Sequence, residues 1–206
     1  MNYQPKKVFF GKYVFAVSEE VYEPAEDSFL LADNLLVNEG EKVLDIGTGC
    51  GILAVLAAEK ASKVVAVDIN PHAVVCVKKN AELNGVTAKV ETRLGDLFDA
   101  IKADEKFDLI LFNAPYLPSE QDEGKSWIEK AWVGGKTGRA VINRFVSKTS
   151  KYLTENGRIL LTQSSLSNVE KTLERFPRYK LRAKIIGEKK LAFEKIILIE
   201  IRKKQS

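Results

Sequence analysis

An apolar run that closes on Asp45-Ile46-Gly47-Thr48-Gly49-Cys50-Gly51 and opens at once into ILAVLAA most narrows what this chain can fold into. A strand that ends in closely spaced glycines and passes straight into an apolar helix brings backbone N–H groups against a nucleotide-like ligand. Gly47, Gly49 and Gly51 give GxGxG, where the dinucleotide fingerprint reads GxGxxG, and no Gly-Lys-Ser/Thr follows, which excludes a P-loop. A second apolar run, residues 107–112, ends in Asn113-Ala114-Pro115-Tyr116. That places a primary amide, a proline-stiffened backbone and an aromatic ring at the end of another buried strand.

Around these two points the pattern alternates. Residues 8–17 read as a short hairpin around Gly11, in which Tyr13 and Phe15 either pack or cover part of a site. Helix 25–36 follows Pro24. Then come strand 42–46, helix 51–60, strand 63–67, helix 71–84, strand 88–92, a helical turn near 97–102, strand 107–112, a long loop, helix 140–152, strand 158–163 and helix 165–175. Residues 181–188 and 191–201 form an antiparallel pair joined by about two residues. Strands alternating with helices predict an α/β fold, a mostly parallel sheet covered on both faces. With the terminal antiparallel hairpin it resembles the seven-stranded, Rossmann-like class I methyltransferase fold, as one domain over residues 1–206 with a short N-terminal β extension at 1–20.

Composition fits such a domain. At 206 residues with 45% hydrophobic and 29% charged residues, neither disorder nor a fibrous repeat is indicated. No stretch approaches 18 uninterrupted apolar residues, and no signal-peptide pattern opens the chain, so the expected location is cytoplasmic, with no membrane partner. Cys50 and Cys76 lack any CxxC or His-rich companion set; they read as small buried apolar residues, and no metal site is expected. The sole histidine, His72, follows Pro71 at a helix start and reads as a surface or capping residue.

The resemblance to S-adenosylmethionine-dependent enzymes gives the glycine turn a chemistry. Asp68 ends the next strand, where its carboxylate can accept from both hydroxyls of a ribose; otherwise it caps the following helix. Asp45, at the end of the first strand, is expected near the donor's ammonium group. Asp96, in Gly95-Asp96-Leu97-Phe98, can accept from an adenine amino group with Leu97 packed on the ring, although Asp after Gly is also ordinary turn chemistry. Tyr22, Pro24 and Glu26 form a candidate lid. The expected donor contacts are Tyr22, Glu26, Asp45, Gly47, Thr48, Gly49, Gly51, Asp68, Ile69, Asp96, Leu97 and Asn113.

An amide nitrogen is a poor nucleophile because its lone pair is delocalised into the carbonyl. An enzyme that methylates one must hold the NH2 in line and let that pair localise. The Asn113 side-chain carbonyl and the Ala114 backbone carbonyl, fixed by Pro115, would do so, with Tyr116 offering a flat face. Asn113, Pro115 and Tyr116 are therefore the expected catalytic residues, and Asn113, Ala114, Pro115 and Tyr116 the expected acceptor contacts. The same letters also describe a plain Asn-x-Pro turn.

Four segments, VYEPAEDSFLL, DIGTGCG, NAPYLP and WVGGKTGRAVINRF, make the span from Val21 to Gln163 resemble the HemK family of protein-glutamine N5-methyltransferases, in its short eukaryotic and archaeal branch. Ala114 departs from the family's Asn-Pro-Pro-Tyr. The resemblance implies S-adenosyl-L-methionine as donor, S-adenosyl-L-homocysteine as product, and the glutamine of a release factor's Gly-Gly-Gln loop as acceptor. It also implies a small zinc-binding activator protein as a heterodimer partner, for which the N-terminal hairpin and the strand edge around 86–90 are the two surfaces on offer. GGKTGR, residues 134–139, reads as a flexible loop that admits a peptide or as a helix-initiating turn.

Charge supplies the competing reading. Eight basic residues lie between Lys171 and Lys190 against two glutamates, enough to track phosphates, or simply a solvated edge. An N-methyltransferase acting on adenine or guanine amines of DNA or RNA is thus the alternative, followed by a lysine methyltransferase and a non-catalytic donor-binding scaffold.

Overall fold

A computed structural model of the chain describes residues 5–120 and 124–204. Five strands, β3 (Lys42–Ile46), β4 (Lys63–Asp68), β5 (Val90–Leu94), β6 (Phe107–Asn113) and β7 (Leu153–Ser164), form the parallel part of a seven-stranded sheet. The antiparallel pair β8 (Leu181–Lys190) and β9 (Lys195–Lys203) completes it in the order β5-β4-β3-β6-β7-β9-β8. This is the expected class I architecture. From β3 the chain winds outward through β4 and β5, then returns to add β6 on the other side of β3. Pairing of Val43 with Leu109 through Ile46 with Phe112 sets the ends of β3 and β6 side by side. The loops that leave them diverge to opposite faces, and that divergence opens a crevice at the carboxyl edge of the sheet.

Helices cover both faces. On one lie α1 (Glu26–Asp33), α2 (Ile52–Ala57) and α3 (Pro71–Leu83), packed around Leu31, Leu53, Val55 and Val77; on the other α5 (Ala140–Thr149) packs Ile142, Phe145 and Val146 against Phe98 and Phe112. Central strands with both faces covered read as nearly continuous apolar runs, as KVVAVD and FDLILF do. Gly51, at φ +86, begins α2; a Cβ there would stand 3.0 Å from Val77 Cγ1, so glycine lets α2 approach α3 closely.

The N-terminal strands β1 (Lys6–Phe10) and β2 (Tyr13–Val17) form the expected hairpin. Asn80 on α3 and Asn84, the C-cap one turn later, treat β2 as a neighbouring strand would. The Asn80 side chain accepts from the Ala16 N–H (2.8 Å) and donates to its carbonyl (3.0 Å), and Asn84 does the same for Val14 (3.1 and 2.8 Å). Phe15 is fully buried and the Tyr13 hydroxyl donates to Glu59, so this hairpin is held against α3 and neither ring covers the crevice.

Several boundaries differ from the sequence reading. The loop after β6 contains a helix, α4 (Trp127–Trp132), begun by a capping box in which Ser126 and Glu129 each bond the other's backbone N–H. Helix 165–175 is broken: Asn168, at φ 54, ends a 3-10 turn and caps the short α6 (Val169–Leu173) by accepting from the Lys171 N–H. Residues 191–194, four rather than two, join β8 to β9. His72 is exposed, and its backbone N–H donates to the Asn70 side chain that caps α3. No helix among the described residues is long and apolar enough to cross a membrane.

Candidate active site

The crevice at the β3/β6 divergence is a cleft of about 1280 Å3, counting space open to solvent. The β3 turn contributes Gly47, Thr48 and Cys50; β4 and its exit contribute Asp68 and Ile69; the β5 exit contributes Asp96 and Leu97; β6 contributes Phe112, Asn113 and Pro115. Tyr22, Pro24 and Ser28 reach it from the segment around the start of α1, and Trp127, Lys130, Val141 and Arg144 from α4 and α5. Sequence reasoning missed this last wall. The S-x-x-E of the capping box, Ser126 to Glu129, was the local signal that could have disclosed α4.

Backbone N–H groups fix Asp68. Its Oδ2 accepts from Gly49 and its Oδ1 from Asn70, each at 2.9 Å, and burial raises its pKa. Each oxygen keeps a lone pair beyond these bonds. Gly49 thus acts by holding Asp68 and is not itself among the cleft walls. Gly51 and Asp45, two further expected donor contacts, are also absent from those walls. Gly51 serves the α2–α3 packing. Asp45 is wholly buried beneath Thr48, whose hydroxyl donates to Asp45 Oδ2 at 2.6 Å, while Oδ1 has no partner among the described residues. Burial, with the nearby Asp68 charge adding to it, pushes Asp45 up to about 7.

At the end of β6, Asn113 is gripped at both ends of its amide: Nδ2 donates to Ser28 Oγ at 3.1 Å and Oδ1 accepts from Thr162 Oγ1. Ser28 Oγ in turn donates to Asp27 Oδ1 (3.2 Å), and Asp27 Oδ2 accepts from the Tyr116 hydroxyl at 2.9 Å. Tyr22 also donates to Asp27, at 3.3 Å. Burial raises the pKa of both phenols, and the carboxylate beside them raises it further, so they remain donors. Asp27 is the node of this chain of bonds. It was not among the expected site residues, since its partners Tyr116 and, through Ser28, Asn113 lie more than 80 positions away in the sequence.

Tyr116 faces a second, smaller cavity, shared with Tyr22, Glu26, Asp27, Trp132 and Glu194, rather than the main cleft. Glu26, an expected donor contact, likewise lines that cavity and not the main cleft. Ala114 is buried, and its carbonyl accepts no hydrogen bond among the described residues. The 134–139 loop is tied down: Gly134 N–H donates to the Leu117 carbonyl (2.9 Å) and Ser119 N–H to the Gly135 carbonyl (3.1 Å). That is a bonded turn against the backbone that follows Asn113 and leads into α5, which agrees with the helix-initiating turn of the two readings. Among the described residues no group of three or more His, Cys, Asp or Glu side chains is placed to hold a metal.

Residues 21–184 match the family described as "Methyltransferase small domain". The chain belongs to this family. A putative protein N5-glutamine methyltransferase of Methanocaldococcus jannaschii is 41% identical over 182 residues, covering 87% of this chain and 90% of that one. Methyltransferase HEMK2 of Homo sapiens is 33% identical over 177 residues, covering 81% and 82%. Among solved structures, the E. cuniculi Mtq2-Trm112 complex, responsible for methylation of the eRF1 translation termination factor, superposes with TM-score 0.70 at 26% identity, covering 89% of this chain and 99% of that one. The methyltransferase takes its methyl group from S-adenosyl-L-methionine, and the cleft suits that donor. An acceptor pair at Asp68, apolar flanks at Ile69 and Leu97 and a further carboxylate at Asp96 follow one another along its wall.

Proposed function

We propose that this methyltransferase, acting as one domain over residues 1–206 in the cytoplasm, modifies the side-chain amide nitrogen of a glutamine in the Gly-Gly-Gln loop of a translation release factor. The observation that carries the reading is the gripped amide of Asn113 beside the unengaged carbonyl of Ala114. Two neighbouring acceptors, Asn113 on the cleft wall and the Ala114 carbonyl directly behind it in the chain, match the two N–H bonds of a primary amide.

In this mechanism Asp68 accepts from the ribose hydroxyls, Asp96 from the adenine amino group, and Ile69, Leu97 and Thr48 line the space between. S-Adenosylmethionine supplies, when bound, a methyl group on a sulfonium and departs as S-adenosylhomocysteine. Asn113 keeps one Oδ1 lone pair beyond its bond from Thr162, and that pair with the Ala114 carbonyl holds the acceptor NH2 so that its own lone pair points into the cleft. Ser28 and Thr162 stop the Asn113 amide from turning, which is positioning of the kind that accounts for much of a transfer rate. Pro115 fixes the Ala114 carbonyl. Tyr116, anchored to Asp27, walls the acceptor side. Asp45 supports the glycine turn from below through Thr48.

A small zinc-binding activator is proposed to pair with the enzyme on the free edge of β5. Leu94 (59% exposed) and Leu83 on the adjoining helix stand uncovered there. The N-terminal hairpin, already engaged by α3, is the weaker candidate. The basic residues of 171–190 include a run along the outermost strand β8, where they suit a solvated edge better than a phosphate track.

The test is mass spectrometry of the loop peptide after incubation of the enzyme and donor, with and without the activator, with intact release factor and with a Gln→Asn version of its loop. One added methyl on the intact factor alone is expected. Equal labelling of the Asn version, or labelling of RNA in place of the factor, would reject the reading.

A further inference from the structure

The turn that follows β5 is held from outside by one face of α5. Arg144 Nη2 donates to Asp96 Oδ2 at 2.6 Å, and one helical turn later Lys148 Nζ meets Asp99 Oδ1 at 3.4 Å. Residues four apart share a helix face, so α5 grips both ends of the turn at once. The turn is a strained one. Between those acids Leu97 sits at φ 52, in the left-handed region, while nearly buried against the cleft. A Cβ on Gly95 would lie 2.6 Å from the Ala100 Cβ, so the backbone is tight on that side too.

The two ion pairs are not equivalent. Lys148 and Asp99 are both more than half exposed and neither lines the cleft, so that pair is screened by water. Arg144 and Asp96 both line the cleft, and the Asp96 side chain is only 33% exposed. Asp96 Oδ1 accepts no hydrogen bond among the described residues. A carboxylate on a loop can ordinarily rotate to suit whatever it meets. With one oxygen held by a guanidinium, the other is presented in a single direction.

We propose that Arg144 is a positioning and specificity-determining residue for the donor: by holding Asp96 Oδ2 it fixes Oδ1 as an acceptor that selects a 6-amino purine over a 6-oxo purine. The inference rests on the reading of this cleft as the donor site with Asp96 at the base. A 6-amino group donates to a fixed carboxylate oxygen, whereas a 6-oxo group sets acceptor against acceptor there. Freed from Arg144, the carboxylate can swing to the N1–H that a 6-oxo ring carries, and the discrimination disappears.

The test is calorimetric titration of the purified full chain with S-adenosylhomocysteine and with S-inosylhomocysteine, for wild type, Arg144→Ala, Arg144→Gln and Asp96→Ala. Wild type is expected to prefer the adenosyl compound by on the order of tenfold or more, the scale of one hydrogen bond gained against one acceptor clash. Arg144→Ala and Arg144→Gln should bring that ratio to within about threefold, as should Asp96→Ala. A purely structural role for Arg144 would weaken both ligands in proportion and leave the ratio intact, which overturns the proposal while the donor-site reading stands. No preference in wild type would instead overturn the placement of Asp96 at the base, and the proposal with it.

Discussion

Gly138 offers a sharp test of how the 134–139 loop supports the acceptor side. Its φ is +66, and a Cβ there would lie 2.1 Å from the Tyr116 carbonyl oxygen and 2.7 Å from the Ser167 Cβ. Gly138→Ala therefore has two effects. The left-handed conformation alone costs about 1 kcal/mol for an L side chain. The contact adds more, because an approach that carbon and oxygen normally make at about 3.3 Å has to open by roughly 1 Å. The atom in the way is backbone, one residue beyond Pro115, and its displacement carries Asn113, Ala114 and Pro115 with it. A shift of that size in a positioned group costs on the order of 100-fold in rate.

The control is Gly85→Ala. Gly85 has nearly the same φ, +69, with nothing within 4 Å of where a Cβ would stand, so it bears the conformational cost without the collision. Both variants should lower the melting temperature, Gly85→Ala by about 2–4 °C for a chain of this size. Only Gly138→Ala should lose methyl transfer, measured as single-turnover rate on the release factor at saturating donor. Its donor affinity by calorimetry should stay within about threefold of wild type, because Gly138 is not among the cleft walls. A Gly138→Ala enzyme that transfers within about threefold of Gly85→Ala would refute the idea that this loop fixes the Asn113 segment.

Three further substitutions separate donor binding, chemistry and stability. Asp68→Ala should weaken S-adenosylmethionine by about 1–3 kcal/mol through lost charge-assisted bonds, seen in calorimetry, and unchanged affinity would remove the ribose assignment. Asn113→Ala should keep donor affinity while transfer falls by roughly two orders of magnitude or more, and an active variant would end the amide mechanism. Asp45 has a folded pKa of about 7, above its ordinary 3.8, so the folded state keeps a proton that the unfolded chain releases. Its favourable contribution is therefore complete below about pH 4 and is lost as pH rises to about 7. Asp45→Asn, neutral throughout, should gain melting temperature relative to wild type between those limits and hold the gain at pH 8; parallel profiles would contradict this.

What could be read from sequence is what short-range chemistry determines. DIGTGCG, NAPY and the alternation of apolar runs with helical periods disclose the sheet, its parallel strands and the crevice, because each signal spans fewer than ten residues. Boundaries slipped where local caps compete with a longer helix, as Asn168 does in breaking 165–175. The burial of Asp45 beneath Thr48 was not legible either, since it depends on which loop crosses above the strand end. Asp27 was invisible for a similar reason: in VYEPAEDS it looks like an ordinary acid in the first turn of a helix, and only the fold brings Tyr116 to it.

That buried acid bears on the choice between a glutamine and a lysine acceptor. A lysine arrives as an ammonium and has to lose its proton before it can attack, and nearby negative charge opposes that loss. The Asp27 carboxylate is linked through Ser28 to Asn113, and Glu26 and Glu194 line the cavity that adjoins Tyr116. An ammonium beside these carboxylates would be held protonated, with its lone pair occupied. An amide carries no proton to shed before the attack. In the proposed mechanism its two coplanar N–H bonds would meet the Asn113 and Ala114 carbonyls, whereas three tetrahedral donors would leave one without an acceptor in that plane. The acidity around the acceptor side thus favours the planar, neutral nitrogen on grounds of charge as well as of shape.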